Sequence, residues 1–235
     1  MDPKNYFIKE GYTCNEIPAV YRTKKKAPKV IWQPDVYDFA FEIARRSGAT
    51  HIVDVGSGSG EKLMHVQNEF NLVICDYGNK ATIENNLRRF EHVHVNLEEG
   101  FPSMEGTSCL CLSQAVVICS DVVEHLRRPD ALLRGLTEAA QKAKAVVIST
   151  PDRDRVRGLD DCGPPENRRH VREWNLHEFS RLLDEFEFNP SFIGWTRENN
   201  MVKNPRKTII AAVNNTGLEI SPQDYIDYKI SFERV

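Results

Sequence analysis

No two cysteines of this chain are spaced C-x-x-C, no apolar run reaches the roughly 20 residues that cross a bilayer, and neither sign of charge dominates. Each absence removes a class of function. The six cysteines, Cys14, Cys75, Cys109, Cys111, Cys119 and Cys162, are scattered. Several lie in apolar runs, so they are expected to be reduced, mostly buried side chains of a cytoplasmic protein. Cys109 and Cys111 alone are too few to hold zinc. The N-terminal residues carry no secretory apolar core. With 31 basic and 34 acidic residues the net charge is −3, which gives no global electrostatic case for nucleic acid or membrane. No basic domain and no aromatic stacking platform is visible. Internal repeats and low-complexity linkers are also lacking, so 235 residues with 40% hydrophobic and 28% charged side chains read as one ordinary α/β domain.

What is present is organised around His51-Ile-Val-Asp-Val-Gly-Ser-Gly-Ser-Gly60. An apolar run favours a strand over His51–Val55, and glycines placed directly after it mark a turn that a ligand approaches closely. Residues 61–69 read as a helix. Further apolar runs predict strands over 71–76, 92–96, 114–120 and 145–149, alternating with helices over 79–90 and 130–142. That alternation implies a parallel sheet covered on both faces. Before it, residues 35–47 predict a helix with Asp35 as N-cap, an apolar stripe of Val36, Phe39, Ala40 and Ile43, and Gly48 as its stop. After it come a helix over 175–185, with Asn175 as N-cap, and strands over 188–195 and 208–213. Residues 1–34 form an N-terminal arm, packed on the domain or closing over a pocket as a lid. Residues 35–215 form the main domain, and 216–235 a C-terminal tail packing on it. The Arg- and Asp-rich stretch 151–172 is long for a structureless connection, and such loops are usually functional or disordered.

Strand, glycine loop, helix is a place for a nucleotide-like cofactor. A dinucleotide site wants G-x-G-x-x-G, but Glu61 stands where the third glycine belongs. Here the pattern is Asp54-x-Gly56-x-Gly58-x-Gly60. At this point the chain resembles the class I S-adenosylmethionine-dependent methyltransferases, in the branch associated with small-molecule and glycan biosynthesis. "VDVGSGSG" matches their first motif, and Asp76 with Tyr77 stands where an acid ends their second strand. Asn96-Leu97 follows the third strand, and "VICSDVVEHLRRPD" is similar to their fourth-strand block. "VVISTPDRDRVRG" and "HVREWNLHEFSRLL" resemble the blocks that follow.

The resemblance implies a Rossmann-like, seven-stranded, mostly parallel sheet with an antiparallel last strand and helices on both faces. It implies S-adenosyl-L-methionine as cofactor, leaving as S-adenosyl-L-homocysteine. Asp54, Gly56, Ser57, Gly58, Gly60, Asp76, Tyr77, Asn96, Leu97, Ser120 and Asp121 would line the cofactor. A carboxylate at Asp76 suits a ribose diol, and the Asn96 carbonyl suits an adenine amino group. The expected acceptor is a small molecule or glycan, methylated at oxygen, with no nucleic acid and no membrane span; oligomeric state is unreadable. An alcohol acceptor needs a base, and His170 is the first candidate, His125 the second. Both have structural alternatives: His170 as a loop holder, His125 with Glu124 as a brace. His92 and His94 are expected away from the chemistry and His177 in solvent. No metal is expected, although Asp160, Asp161 and Glu166 are acids that could hold a divalent cation. The arginines of 153–172 could bind an anionic acceptor or pair with neighbouring acids. Other readings stay open: N- or carboxyl-methylation of a natural product, an RNA or protein methyltransferase, an NAD-linked oxidoreductase, and a non-catalytic S-adenosylmethionine-binding module.

Overall fold

The computed structural model describes residues 5–16, 30–58, 60–77, 90–102, 111–201, 206–218 and 233–234. The parallel strands are β1 (His51–Val55), β2 (Asn71–Asp76), β3 (Phe90–His94), β4 (Ala115–Ser120) and β5 (Ala145–Pro151). They are joined by β6 (Phe192–Arg197), β7 (Arg206–Asn214) and the two-residue β8 (Glu233–Arg234), in the order β3-β2-β1-β4-β5-β7-β6-β8. β7 runs antiparallel to β5, and β6 antiparallel to β7. The seven expected strands and the antiparallel closing strand are therefore present, with β8 added on β6. β3 begins and ends two residues earlier than predicted, and β6 starts at Phe192 rather than 188.

Alternation along the strands separates two cores. Val53, Val55, Val117, Val146 and Ile148 face the helices α2 (Asp130–Ala140) and α4 (Leu176–Glu185), meeting Leu132, Leu136, Phe179 and Leu183. Ile52, Ile74, Val116, Ile118 and Val147 face α1 (Pro34–Ser47) through Val36, Phe39, Ala40 and Ile43. Strand order reverses between β1 and β4, and the crevice at the carboxyl ends of such strands is where this class of sheet binds ligands.

Two helix starts illustrate how local chemistry was read. α4 has the expected Asn175 cap: its side chain accepts from the Glu178 N–H, and Glu178 returns a bond to the Asn175 N–H, a reciprocal capping box. α1 departs from expectation. Gln33, not Asp35, is the N-cap residue, in a left-handed conformation ahead of Pro34. Asp35 lies inside the first turn, fully buried, paired with Arg197 and accepting from the Thr196 hydroxyl at 2.7 Å. Its carboxylate ties α1 to β6 rather than capping α1.

The segment over 61–69 is a 3-10 turn at Glu61–Val66, not an α-helix. The helix expected over 79–90 lies outside the described residues, apart from Phe90, which opens β3. The 151–172 stretch is ordered by contacts. It contains α3 (Arg153–Arg157), capped by Asp152. Residues 5–16 of the arm bind along this loop: the Thr13 N–H donates to the Cys162 carbonyl at 2.8 Å, the Asn15 N–H to Val171 at 2.9 Å, and the Trp174 indole to the Tyr6 carbonyl at 2.9 Å. Of the described cysteines only Cys75 and Cys119 are buried; Cys111 and Cys162 are exposed. The expectation of mostly buried thiols therefore fails outside the strands. Among the described residues no helix is long and apolar enough to cross a membrane.

Candidate active site

The glycine loop leaves β1 with Gly56 at φ 79° and Gly58 at φ 57°, a region that costs glycine nothing and strains other residues. A Cβ on Gly56 would lie 2.4 Å from Val122 Cγ2, so the loop packs directly on the β4 exit; one on Gly58 would meet nothing within 4 Å. The Gly58 N–H donates to Asp76 Oδ2 at 2.9 Å. Loop and second-strand acid thus face one another at the strand ends. Ser57 Oγ is buried and has no partner among the described residues. An open glycine face, an orphaned hydroxyl and a carboxylate on the loop's rim suit a ligand that carries hydroxyls and lies along the loop.

Asp54 sits beneath. Its two oxygens accept from the Tyr37 hydroxyl at 3.2 and 3.1 Å. Burial pushes its pKa up to about 7, opposed by the Lys62 charge. The Lys62 amine donates to Gln33 Oε1 at 3.2 Å and lies 4.6 Å from the Tyr37 ring centre. Burial lowers its pKa, against Asp121 and Asp54. On the other flank a cavity of about 400 Å³ is lined by Tyr77, His94, Asn96, Glu99 and Phe101. Tyr77 is 68% exposed and packs its ring 5.0 Å from that of His94, so His94 belongs to this flank rather than away from it. Asn96 Oδ1 accepts from the Glu98 N–H and its Nδ2 donates to Glu99. The Asn96 amide here holds its own turn, and Leu97 packs against the core.

At the exit of β4, Ser120 Oγ lies 2.9 Å from Ser149 Oγ, which donates to Asp121 Oδ1 at 3.2 Å. Asp121 adopts φ 53° and accepts from the Gln33 side chain; burial pushes its pKa up to about 6, against Lys62. Gln33 therefore bridges Lys62 and Asp121, linking α1 to both sides of the loop.

The histidines meet just beyond. His125 and His170 pack edge-on, ring centres 4.7 Å apart. His125 Nδ1 lies 3.0 Å from the Arg169 carbonyl, so this nitrogen carries the proton. Burial pushes the His125 pKa down to about 4, with His170 next in effect. His170 is 8% exposed; its Nδ1 is 2.6 Å from Glu173 Oε1 and its Nε2 is 2.8 Å from the Asn167 amide. Glu124, fully buried, accepts from the Thr150 hydroxyl at 3.1 Å, and its backbone carbonyl accepts from the Val171 N–H at 2.7 Å. Burial, then Asp121, holds the Glu124 carboxyl well above its ordinary pKa. One ligand atom from each of Glu124, His125 and His170 lies within 4.8 Å of the others.

The fold thus brings together Asp54, Gly56, Gly58 and Asp76, and separately Ser120, Asp121, His125 and His170, while Asn96 lines the cavity beside Tyr77 and Leu97 packs against the core. Gly60, at φ 68°, donates to the Ser57 carbonyl and opens the 3-10 turn. His177 is exposed as expected. Sequence reasoning missed Gln33, Tyr37, Lys62 and Glu173. Lys62 directly after the glycine loop, and the His-x-x-Glu spacing of His170 and Glu173, were signals present in the sequence. Gln33 gave none. Of the three acids that could hold a divalent cation, Asp161 pairs with Arg157 at 2.7 Å and Glu166 lies 3.8 Å from the same guanidinium. Arg153 pairs with Glu178 and Asp154, Arg172 donates to the Leu126 and Arg127 carbonyls, and Arg155 stacks 3.8 Å over Trp195. The expected pairing with neighbouring acids is thus found for Arg153 with Asp154 and for Arg157 with Asp161, whereas Arg155 and Arg172 are held by a ring and by carbonyls.

A parallel sheet closed by an antiparallel strand, with a glycine loop and an acid at the ends of its first two strands, is the methyltransferase architecture. The family model described as "Methyltransferase domain" matches residues 23–190, and the chain belongs to that family. It is a methyltransferase enzyme, with S-adenosylmethionine as methyl donor. No curated protein matches it. Among solved structures it is similar to an S-adenosylmethionine-dependent methyltransferase from Clostridium acetobutylicum ATCC 824 (11% identity, TM-score 0.55, covering 78% of this chain and 92% of that one). It is also similar to the plantazolicin methyltransferase BamL (12%, TM-score 0.53, 77% and 85%) and to the small RNA methyltransferase HEN1 (16%, TM-score 0.51, 85% and 28%).

Asp76→Ala is expected to weaken S-adenosylhomocysteine binding by roughly 1–3 kcal/mol, from lost charge-assisted bonds to ribose hydroxyls. Calorimetric titration checks this; an unchanged affinity would remove Asp76 from the cofactor site.

Proposed function

We propose that this enzyme methylates a hydroxyl oxygen of a small-molecule or sugar/glycan-type acceptor, with His170 as the general base. The observation that carries the reading is the His170–Glu173 pair, 2.6 Å from imidazole Nδ1 to carboxylate. A bound methyl donor brings its own activated electrophile, so the protein's task is alignment and proton management. A neutral amine or a carboxylate needs no base, whereas an alcohol does. Glu173 fixes the imidazole with its proton on Nδ1 and steadies the cation formed when Nε2 takes another, the logic of a carboxylate behind a catalytic histidine. The Asn167 amide now donating to Nε2 marks where an acceptor hydroxyl would donate in its place. Glu124 and Thr150 brace the loop, joining the β4 exit to the 170 segment.

In this reading Gly56, Ser57, Gly58 and Asp76 hold the donor along the loop. Tyr77, with the cavity beside it, receives the base end. Lys62, Gln33 and Asp121 close the amino-acid end. Residues 35–215 form the methyltransferase unit. Residues 5–16 of the arm and the 151–172 loop form the acceptor side, as the bonds from Thr13 and Asn15 to that loop support; most of the 216–235 tail lies outside the described residues. The net charge of −3 and the internal pairing of the loop arginines favour an uncharged acceptor over a nucleic acid. The neighbours do not choose, since one is a plantazolicin methyltransferase and another a small RNA methyltransferase.

The test is product analysis with matched acceptors: sugar alcohols, the corresponding amino sugars and uronic acids, each incubated with enzyme and S-adenosylmethionine. Methyl ethers on the alcohols are expected. Transfer only to nitrogen or carboxylate would overturn the oxygen assignment.

A further inference from the structure

From the side chains around Glu124 we infer a divalent cation site formed by Glu124, His125 and His170, contrary to the expectation that the chain holds no metal. The three residues come from two segments, the β4 exit and the loop after α3, and are held together by backbone bonds from Val171 to Glu124 and by the contact between the two imidazoles. Their ligand atoms lie within 4.8 Å of one another. Donors bound at about 2.1 Å sit at most about 4.2 Å apart, so small side-chain rotations close the set on an ion.

A second observation points to a ligand independently of that spacing. Glu124 is fully buried, its Oε2 is taken by the Thr150 hydroxyl, and its Oε1 has no partner among the described residues. Among the described residues Glu124 forms no ion pair. A buried carboxylate oxygen left unsatisfied costs free energy, and a cation between Glu124 and the imidazoles removes that cost. The imidazoles are prepared for it. His125 Nδ1 is bonded to the Arg169 carbonyl, which leaves Nε2 as the lone pair. His170 Nδ1 is bonded to Glu173, which leaves its Nε2, now covered only by the exposed Asn167 amide. A metal-binding histidine commonly donates its other nitrogen to a carbonyl or carboxylate in this way. Glu173 and the Arg169 carbonyl are accordingly positioning groups. Two nitrogens and one carboxylate suit a first-row ion such as Mn²⁺ or Zn²⁺ over Mg²⁺ or Ca²⁺. Three protein ligands also leave positions for acceptor oxygens, whose hydroxyl acidity an ion would raise. Only this last link rests on the proposed hydroxyl acceptor; the site itself does not. With an ion bound, His170 serves as ligand rather than as base.

The experiment is titration of chelator-treated full-length protein with MnCl₂, ZnCl₂ and MgCl₂, read by calorimetry and, for manganese, by electron paramagnetic resonance. One Mn²⁺ or Zn²⁺ per chain is expected, bound at least about tenfold more tightly than Mg²⁺. Glu124→Gln and His125→Gln should each weaken binding about tenfold or more, while S-adenosylhomocysteine still binds, which shows that the variants are folded. Asn167→Ala, at an exposed position, should keep or tighten the affinity, because the amide competes for Nε2. Absence of stoichiometric Mn²⁺ and Zn²⁺ binding by the wild type overturns the inference, as does unchanged affinity in folded Glu124→Gln or weakened affinity in Asn167→Ala. If no ion binds but turnover on alcohols still requires His170, the site falls and the base reading stands. If an ion binds but only amines are methylated, the site stands and the acceptor reading falls.

Discussion

His170→Ala lowers turnover on an alcohol acceptor by about 10²–10⁴-fold, with S-adenosylhomocysteine affinity unchanged. The size follows from position. His170 is 8% exposed and anchored by Glu173 at 2.6 Å, so removing the ring deletes the group proposed to take the hydroxyl proton. The cofactor residues Gly58 and Asp76 belong to other strand ends and bond to each other, which is why binding of the product cofactor should not move. Glu173→Gln should fall between wild type and alanine, because an amide still orients the ring but no longer steadies its charge. Steady-state kinetics with parallel calorimetry checks both. Loss of cofactor binding in step with turnover would show that His170 merely holds the loop.

Arg153→Ala destabilises the fold by about 3–5 kcal/mol, the cost typical of removing one partner from a buried ion pair. Arg153 is fully buried, with its guanidinium 2.6 Å from Glu178 and 2.9 Å from Asp154. Glu178 also closes the capping box of α4, and its Oε1 accepts from the Lys9 N–H at 2.9 Å. One guanidinium therefore fixes a helix start, the α3 turn and the N-terminal arm at once. Truncation leaves Glu178 buried and uncompensated. Replacing both Arg153 and Glu178 by neutral residues should recover part of the loss, since a buried pair contributes little net stability when both members go. Urea denaturation followed by circular dichroism measures the change; a shift below about 1 kcal/mol would mean that water reaches this pair.

Much of the sheet was legible because its strands are continuous apolar runs, a pattern that survives without knowledge of neighbours. Val53, Val117 and Val147 announce buried strands wherever they fold. The glycine loop and Asp76 were legible for a related reason: their spacing is tied to backbone geometry. Less was readable where a polar residue's partner is distant in sequence. Asp35 has the look of a helix cap, yet its partner Arg197 comes 162 positions later and recruits it into the core instead. The helix expected after the glycine loop tightened into a 3-10 turn whose Lys62 amine turns inward toward Gln33, and no periodicity encodes that turn. Asn96 has the residue type expected for an adenine contact and lines the cavity beside Tyr77, but its bonds to Glu98 and Glu99, which fix its turn, carry no pattern in the sequence. The 151–172 stretch had no decodable pattern because its order comes from the arm, through bonds such as Thr13 to Cys162. His170 and His125 stood 45 residues apart in the chain and converge only because Val171 bonds to the Glu124 carbonyl.

The glycine loop and Asp76 are proposed to form the S-adenosylmethionine site of this enzyme. Calorimetric titration of the wild-type protein with S-adenosylhomocysteine, run beside an identical titration with NAD, tests it most directly. One S-adenosylhomocysteine per chain and no heat from NAD is the predicted result. No binding of S-adenosylhomocysteine, or saturable binding of NAD in its place, would contradict it.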